Sequence, residues 1–195
     1  LVNEYKNIDK NSPETFRELA KRSMSIVRDF ANKNLYTVIL TGKAGTGKTM
    51  LTSCMLNKLN QETYLRCLFV SVPAMYGLVM SKFSKDSDKN IEKKQERLYH
   101  LMNDIKEADV IALDDLGSET SLKSEIVEAN QTFQDTLFKI GEIIQTKGLI
   151  ISTNNSSSDF QEMYNPKITS RLLTKNPEHI FSFPESLEDK RIARR

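Results

Sequence analysis

Cysteine, histidine and long apolar runs are all scarce in this chain, and each scarcity closes off a class of protein. Two cysteines, Cys54 and Cys67, cannot build a disulfide framework or a four-ligand zinc site. Both read as small buried hydrophobes, which fits a reducing cytosol. His100 and His179 stand alone, without metal-ligand spacing. No run of about 18 apolar residues occurs, so no segment reads as membrane-spanning. No charge of one sign dominates either: 28 Lys and Arg face 26 Asp and Glu. That near-balance permits a nucleic-acid partner without arguing for one. The opening Leu1-Val2-Asn3-Glu4-Tyr5 has neither an initiator Met nor a secretory pattern, and the chain reads as a fragment whose N-terminal region is missing. The 195 residues, 38% hydrophobic and 28% charged, suit one domain with a sizeable core.

The most informative stretch is Gly42-Lys43-Ala44-Gly45-Thr46-Gly47-Lys48-Thr49. It follows a β-rich apolar run, Tyr36–Leu40, and leads into a helical pattern, the context expected of a phosphate-binding G-x-x-x-x-G-K-[ST] loop. Glycines let backbone N–H groups wrap the phosphates, and the helix N-terminus adds a favourable dipole. Lys48 then reaches the β- and γ-phosphates and Thr49 ligates Mg²⁺. The expected nucleotide contacts run from Gly42 through Thr49 to Met50, in the first helical turn.

Around this loop, apolar runs alternate with helical stripes. Ser12-Pro13-Glu14 reads as a helix start, followed by Phe16, Leu19, Ala20, Ser23, Ile26, Val27 and Phe30 at helical spacing. A helix is expected from about Lys48 to Leu59, and strands at Cys67–Ser71, Val110–Leu113, Leu149–Thr153 and His179–Phe183. A long helix is expected over Ser121–Thr146, closed by Gly148. Residues 72–109 exceed what a simple βα unit needs, and read as an insertion with a short helix through Met75–Phe83, a loop at Ser84–Asn90 and a second helix. The expected fold is α/β, with a mostly parallel five-stranded sheet covered on both faces.

Asp114 and Asp115 end a buried strand, where a phosphate-loop protein holds its metal-binding acid. Asp114 is the candidate metal ligand beside Thr49, and Asp115 the candidate base that polarises the attacking water. Asn154 ends another apolar strand after Ser152 and Thr153, where an amide could bond the γ-phosphate or the water.

Together, Gly42–Thr49, Asp114-Asp115-Leu116-Gly117 and Ser152-Thr153-Asn154 resemble the Walker A, Walker B and sensor 1 elements of AAA+ ATPases. The Leu113-Asp114-Asp115-Leu116-Gly117 wording resembles the DnaC/DnaI helicase-loader branch, which also includes IstB-like transposition ATPases. The resemblance covers the chain from about Tyr36 onward. It implies a P-loop NTPase fold of AAA+ αβα type across 1–195, with 1–34 as N-terminal linker and helix and 72–109 as an initiator/loader-type insertion. It also implies ATP and Mg²⁺ as cofactors, hydrolysis of ATP, a DnaB-type replicative helicase and single-stranded DNA as partners, and self-association through the ATP interface.

Three residue assignments follow from the resemblance. Ser170-Arg171-Leu172 is similar to the arginine-finger segment, so Arg171 would act on ATP held by a neighbouring subunit. Arg191 corresponds to a sensor-2-like arginine, with Arg194 and Arg195 as competitors. Lys82, Phe83 and Lys85 match a helix that touches single-stranded DNA, being suitable types for phosphates and a base; the competing reading puts Phe83 in the core. Two departures stand out. Asp115 occupies the place where the common AAA+ motif has Glu, and the sequence has no room or ligands for the N-terminal helicase-binding region that the resemblance implies, so either that region has been removed or the partner is contacted differently. The alternative is an IstB-like ATPase that acts on duplex DNA with a transposase. A small-molecule kinase lacks a second substrate constellation here, and a GTPase lacks its Asn-Lys-x-Asp signature. Adenine contacts are expected around Tyr5–Ile8.

Overall fold

Five apolar runs become five parallel strands, and the segments between them supply the helices that parallel crossovers require. A computed structural model describes residues 13–84, 88–119 and 126–184. The elements run α1 (Pro13–Ala31), β1 (Thr37–Thr41), α2 (Lys48–Glu62), β2 (Cys67–Ser71), α3 (Val72–Val79), a 3₁₀ turn (Met80–Phe83) and α4 (Asp88–Glu107). They continue with β3 (Val110–Asp114), α5 (Gln131–Ile143), a 3₁₀ turn (Ile144–Thr146), β4 (Gly148–Thr153), α6 (Ser157–Met163), α7 (Pro166–Leu172), a 3₁₀ turn (Pro177–His179) and β5 (Ile180–Ser182).

Strand order is β2-β3-β4-β1-β5. Every pairing among the described residues is parallel, so the sheet is wholly rather than mostly parallel. The sheet order places β4 between β1 and β3. The C-terminal ends of all three strands therefore face the same crevice, with Thr41 opposite Thr153 and Leu113 opposite Ile151. That is where open parallel sheets hold their ligands.

Each residue of β3 and β4 is buried, as expected of strands covered on both faces. Alternation sorts their side chains into two cores. Ile111, Leu113, Leu149 and Ile151 face a core shared with α3, α4, α5 and α7. Val110, Ala112, Ile150, Val38 and Leu40 face the other core, completed by Leu19, Ile26, Val27 and Phe30 of α1 and Leu51, Met55 and Leu59 of α2. Each of these side chains other than Ala112 stabilises the fold by roughly 1.5–3 kcal/mol through apolar burial.

Several local expectations need correction. The helix expected over Ser121–Thr146 is shorter: α5 starts at Gln131, where the Asn130 side chain caps it by accepting from the Thr132 N–H at 2.9 Å. The Ala129 N–H is instead bonded to the Met163 carbonyl at 2.9 Å, which holds the preceding segment out of the helix. Ile126, which the expected helix would have placed on an apolar stripe with Phe133, Leu137, Ile140 and Ile144, is exposed. Residues 120–125 lie outside the described residues. Gly148 does not close a helix; it opens β4, where an added Cβ would lie 2.9 Å from Phe30 Cε2. The insertion contains two helices, but the loop expected at Ser84–Asn90 gives way to α4 at Asp88. Cys54 and Cys67 are half-buried rather than buried. Ser12 and Tyr5–Ile8 lie outside the described residues. Among those described, no helix is long and apolar enough to cross a membrane.

Candidate functional site

The loop after β1 is shaped by three glycines with positive φ: Gly42 at 148°, Gly45 at 78° and Gly47 at 97°. L side chains avoid this region. At Gly42 a Cβ would also meet the Phe183 Cβ at 2.8 Å, so the loop hugs the segment after β5. Gly47 precedes α2 in a left-handed conformation and supplies no side-chain cap. The first N–H groups of α2 are thus presented to the crevice, a ready anion-binding arrangement. Thr46, buried, braces the loop by donating its hydroxyl to the Lys43 carbonyl at 2.9 Å.

Lys48 is only 4% exposed. Its ammonium donates to the Gly42 and Lys43 carbonyls and to Asn154 Oδ1, each at 2.7 Å. A buried ammonium needs such acceptors. These place the charge between the phosphate loop and the end of β4.

Asp114, 6% exposed, closes the other side. Thr49 Oγ1 donates to its Oδ2 at 3.1 Å, and Ser152 Oγ donates to its Oδ1. Burial pushes the Asp114 carboxyl above the ordinary carboxylate range; the two hydroxyls pull it down, the Asp115 charge raises it and Lys48 lowers it. Burial wins. The site holds a carboxylate whose charged form is under-compensated, beside a hydroxyl. Two hard oxygen donors of this kind suit Mg²⁺, which is bound by one or two carboxylates with substrate phosphates completing its shell.

Asp115 adopts φ 59°, a left-handed conformation that is uncommon for a residue other than glycine. Its N–H donates to Ser152 Oγ at 3.0 Å, and the Leu116 N–H to the Ser152 carbonyl at 2.9 Å. Thr153 Oγ1 donates to the Leu116 carbonyl at 2.8 Å. The turn is thereby stitched to the end of β4, and Asp115 and Asn154 share an open cavity of about 570 Å³ with Lys48, Thr49 and Met50. Asp114 lies behind its wall, against Thr49. One cavity thus gathers residues from the segments that follow β1, β3 and β4.

In the sequence Ser152 stands out only as a neighbour of Asn154, yet it bonds both Asp114 and the Asp115 backbone. The available signal was a hydroxyl following two isoleucines in a buried strand. Nothing local in the sequence singles out Glu119 or Tyr164. The Tyr164 hydroxyl donates to Glu119 Oε1, and Glu119 Oε2 accepts from the Gly117 N–H at 3.1 Å, which clamps the turn after Asp115 against the end of α6. Burial pushes the Glu119 carboxyl up, partly offset by the Tyr164 hydroxyl.

The remaining candidates lie elsewhere. Arg171, in the last turn of α7, is not among the cavity-lining residues; its guanidinium carbon lies 4.5 Å from the Phe138 ring centroid. Lys82 and Phe83 are both exposed on the 3₁₀ turn after α3, with the Lys82 ammonium 5.1 Å from the Phe83 ring centroid. At 62% exposure Phe83 is no core residue, so that competing reading is excluded. Lys85, Arg191, Arg194 and Arg195 lie outside the described residues.

A profile of the ATPase family associated with various cellular activities (AAA) matches residues 38–176, from β1 through α7. The chain belongs to this AAA ATPase family. The sheet order and flanking helices are accordingly the P-loop NTPase, AAA+ αβα fold that the motifs led us to expect. The replicative helicase loader DnaC of Buchnera aphidicola subsp. Acyrthosiphon pisum is 30% identical over 115 residues, 59% of this chain and 43% of that protein. The match thus spans less than half of the relative. The crystal structure of the DnaC helicase loader superposes with a TM-score of 0.64 at 15% identity, covering 91% of this chain and 95% of that one. The crystal structure of DnaI gives 0.61 at 17% identity, covering 94% and 88%. At such identities the structural likenesses establish the fold.

Proposed function

We propose that this chain is the ATP-hydrolysing domain of a DnaC/DnaI-like helicase loader. The observation that carries the ATPase reading is the convergence of Lys48, Thr49, Asp114, Asp115 and Asn154 at the C-terminal ends of β1, β3 and β4. The loader reading is supported by the wording of the Asp114-Asp115-Leu116-Gly117 turn and by the similarity to DnaC over 115 residues. The domain spans 1–195, with 1–34 as linker and helix and 72–109 as the insertion.

ATP reacts with water to give ADP and phosphate. The loop from Gly42 to Thr49 wraps the phosphates with backbone N–H groups, and Met50 flanks them. The Lys48 ammonium, satisfied here by carbonyl and amide oxygens, exchanges these for β- and γ-phosphate oxygens. Thr49 and Asp114 would hold Mg²⁺, which would neutralise phosphate charge when bound. Asp115 orients the attacking water and takes up its proton, while Asn154 positions the same water or the γ-phosphate. Arg171 reaches the ATP of a neighbouring subunit and offsets charge on the transferring phosphoryl group. Arg191 adds a sensor-2-like contact.

ATP binding favours an assembly of subunits that grips single-stranded DNA through Lys82, Phe83 and Lys85 and acts on a DnaB-type hexameric helicase. Exposure of both Lys82 and Phe83 supports this: a phosphate-pairing ammonium lies beside a stackable ring. The test is ATP turnover without DNA, with single-stranded DNA and with duplex DNA, alongside Arg171→Ala. We expect stimulation by single strands, and loss of turnover in Arg171→Ala on the order of 10³-fold, as for other arginine fingers. Stimulation by duplex alone would replace the loader reading with the IstB-like transposition ATPase.

A further inference from the structure

Arg171 is far from idle in the single subunit. Its helix, α7, is fastened to α5 at its start, where the Asn165 N–H donates to Gln134 Oε1 at 2.8 Å and Gln134 is itself buried. Ile168 and Leu172 of α7 are buried in the same core. At the other end of α7 the Arg171 stem crosses α5 at Gly141. A Cβ on Gly141 would lie 3.1 Å from Arg171 Cβ and 3.2 Å from Arg171 Cδ. Beyond the stem, the guanidinium sits over the Phe138 ring, and Nη1 donates to the Lys167 carbonyl at 2.8 Å.

Gly141 is the decisive position. It lies inside α5 without a positive φ, so its backbone conformation does not call for glycine. A glycine in a helix interior costs about 0.5–1 kcal/mol relative to alanine, so helix stability does not call for it either. What the missing methyl provides is room for the Arg171 stem. Phe138, one turn earlier on α5, then supplies a ring face on which a guanidinium stacks favourably. A long side chain that is free in solution loses rotamer freedom when it docks, and holding it beforehand removes that cost.

We infer that Gly141 and Phe138 form a cradle that holds Arg171 ready for the ATP of the adjoining subunit, which makes both of them positioning residues. The inference rests on the in-trans role of Arg171 given under Proposed function. The bond to Lys167 uses one N–H group of a guanidinium that carries several, so the held side chain keeps donors for phosphate oxygens.

The experiment measures kcat, KM and nucleotide affinity of the full chain over rising protein concentration, for the unmodified protein and for Gly141→Ala, Phe138→Leu, Phe138→Tyr and Arg171→Ala. Gly141→Ala and Phe138→Leu are expected to lower kcat about three- to tenfold, the range that re-ordering one long side chain represents, with KM and nucleotide affinity unchanged. Phe138→Tyr keeps the ring face and should keep kcat. Gly141→Ala gains helix propensity but crowds the Arg171 Cβ, so its unfolding midpoint is measured alongside, and Phe138→Leu, which crowds nothing, separates a positioning effect from an overpacking defect. On an Arg171→Ala background neither change should matter further. In parallel, the relaxation of the Arg171 Nε–H group in ¹⁵N-labelled protein should report a more mobile side chain in both cradle variants. If Gly141→Ala and Phe138→Leu turn over like the parent while Arg171→Ala collapses, the cradle is refuted and the finger stands. If Arg171→Ala also turns over like the parent, or turnover shows no dependence on protein concentration, the in-trans reading falls and the cradle with it.

Discussion

Replacing Asp114 by asparagine should make the empty protein more stable while removing its response to metal. The carboxylate is 6% exposed and is held by two hydroxyls, Thr49 and Ser152, yet burial still raises its pKa above the ordinary range. Because the folded-state pKa exceeds the unfolded one, the folded chain binds more protons across the interval between them. The contribution of this group therefore favours the fold below the unfolded value and is lost as pH rises through the folded value. At neutral pH the charge is a liability that asparagine removes without changing shape. The amide oxygen can keep one hydroxyl as donor, and the other hydroxyl can turn to accept from the amide. Each 1 kcal/mol gained would raise the midpoint by about 2–4 °C in a domain of this size. The parent, given ATP and Mg²⁺ at about 100 times the dissociation constant, should gain about 2.7 kcal/mol, or about 5–11 °C. In Asp114→Asn the magnesium-dependent part of that shift should vanish. The assay is thermal unfolding of both proteins, with and without ATP and with Mg²⁺ or chelator, from the ordinary carboxylate range up to pH 8. The parent's empty-state midpoint should fall across the interval relative to the variant's. A variant destabilised at every pH that still responds to magnesium would refute both the electrostatics and the metal assignment.

Three further outcomes are expected. Gly148→Ala pushes a methyl to 2.9 Å from Phe30 Cε2 and 3.1 Å from Val110 Cγ2, in a core without slack; urea unfolding should show a loss of about 1–3 kcal/mol, with nucleotide affinity in the folded fraction unchanged. Gly117→Ala meets Asn155 Nδ2 at 2.1 Å and must hold φ 92°, so the turn after Asp115 has to move; steady-state kinetics should show kcat falling more than nucleotide affinity. Phe83→Ala removes an exposed ring, so the unfolding midpoint should correspond to a change within about 0.5 kcal/mol, while single-strand affinity measured by anisotropy should drop by the roughly 1–3 kcal/mol of one lost base stack.

Those features of the fold that are written locally were legible before any coordinates. Strands β3 and β4 are buried on both faces, so they appear as unbroken apolar runs, and the phosphate loop announces itself through glycines at fixed spacing. Features set by tertiary partners were not. Gly148 reads as a helix terminator until Phe30, far away in the chain, occupies the space where its side chain would be. The segment before α5 carries helix-favouring residues, but the bond from Ala129 to Met163 diverts it, and Asn130 was the overlooked start signal. In the crevice, the strand-end residues Asp114, Asp115 and Asn154 could be chosen because strand ends are where a parallel sheet opens. Ser152 could not be weighted, since its partner Asp114 lies 38 residues earlier. Glu119 and Tyr164 escaped for the same reason, being 45 residues apart.

The central claim, an ATP site completed by the neighbouring subunit, is tested most directly by mixing two inactive proteins. Lys48→Ala cannot hold ATP but keeps Arg171; Arg171→Ala holds ATP but brings no guanidinium to its neighbour. Each alone should be nearly silent in an ATP turnover assay with single-stranded DNA, and an equal mixture should regain turnover, because some interfaces then pair an intact loop with an intact arginine. A mixture that stays as silent as its components, with both proteins folded and Arg171→Ala still binding ATP, would contradict the shared site.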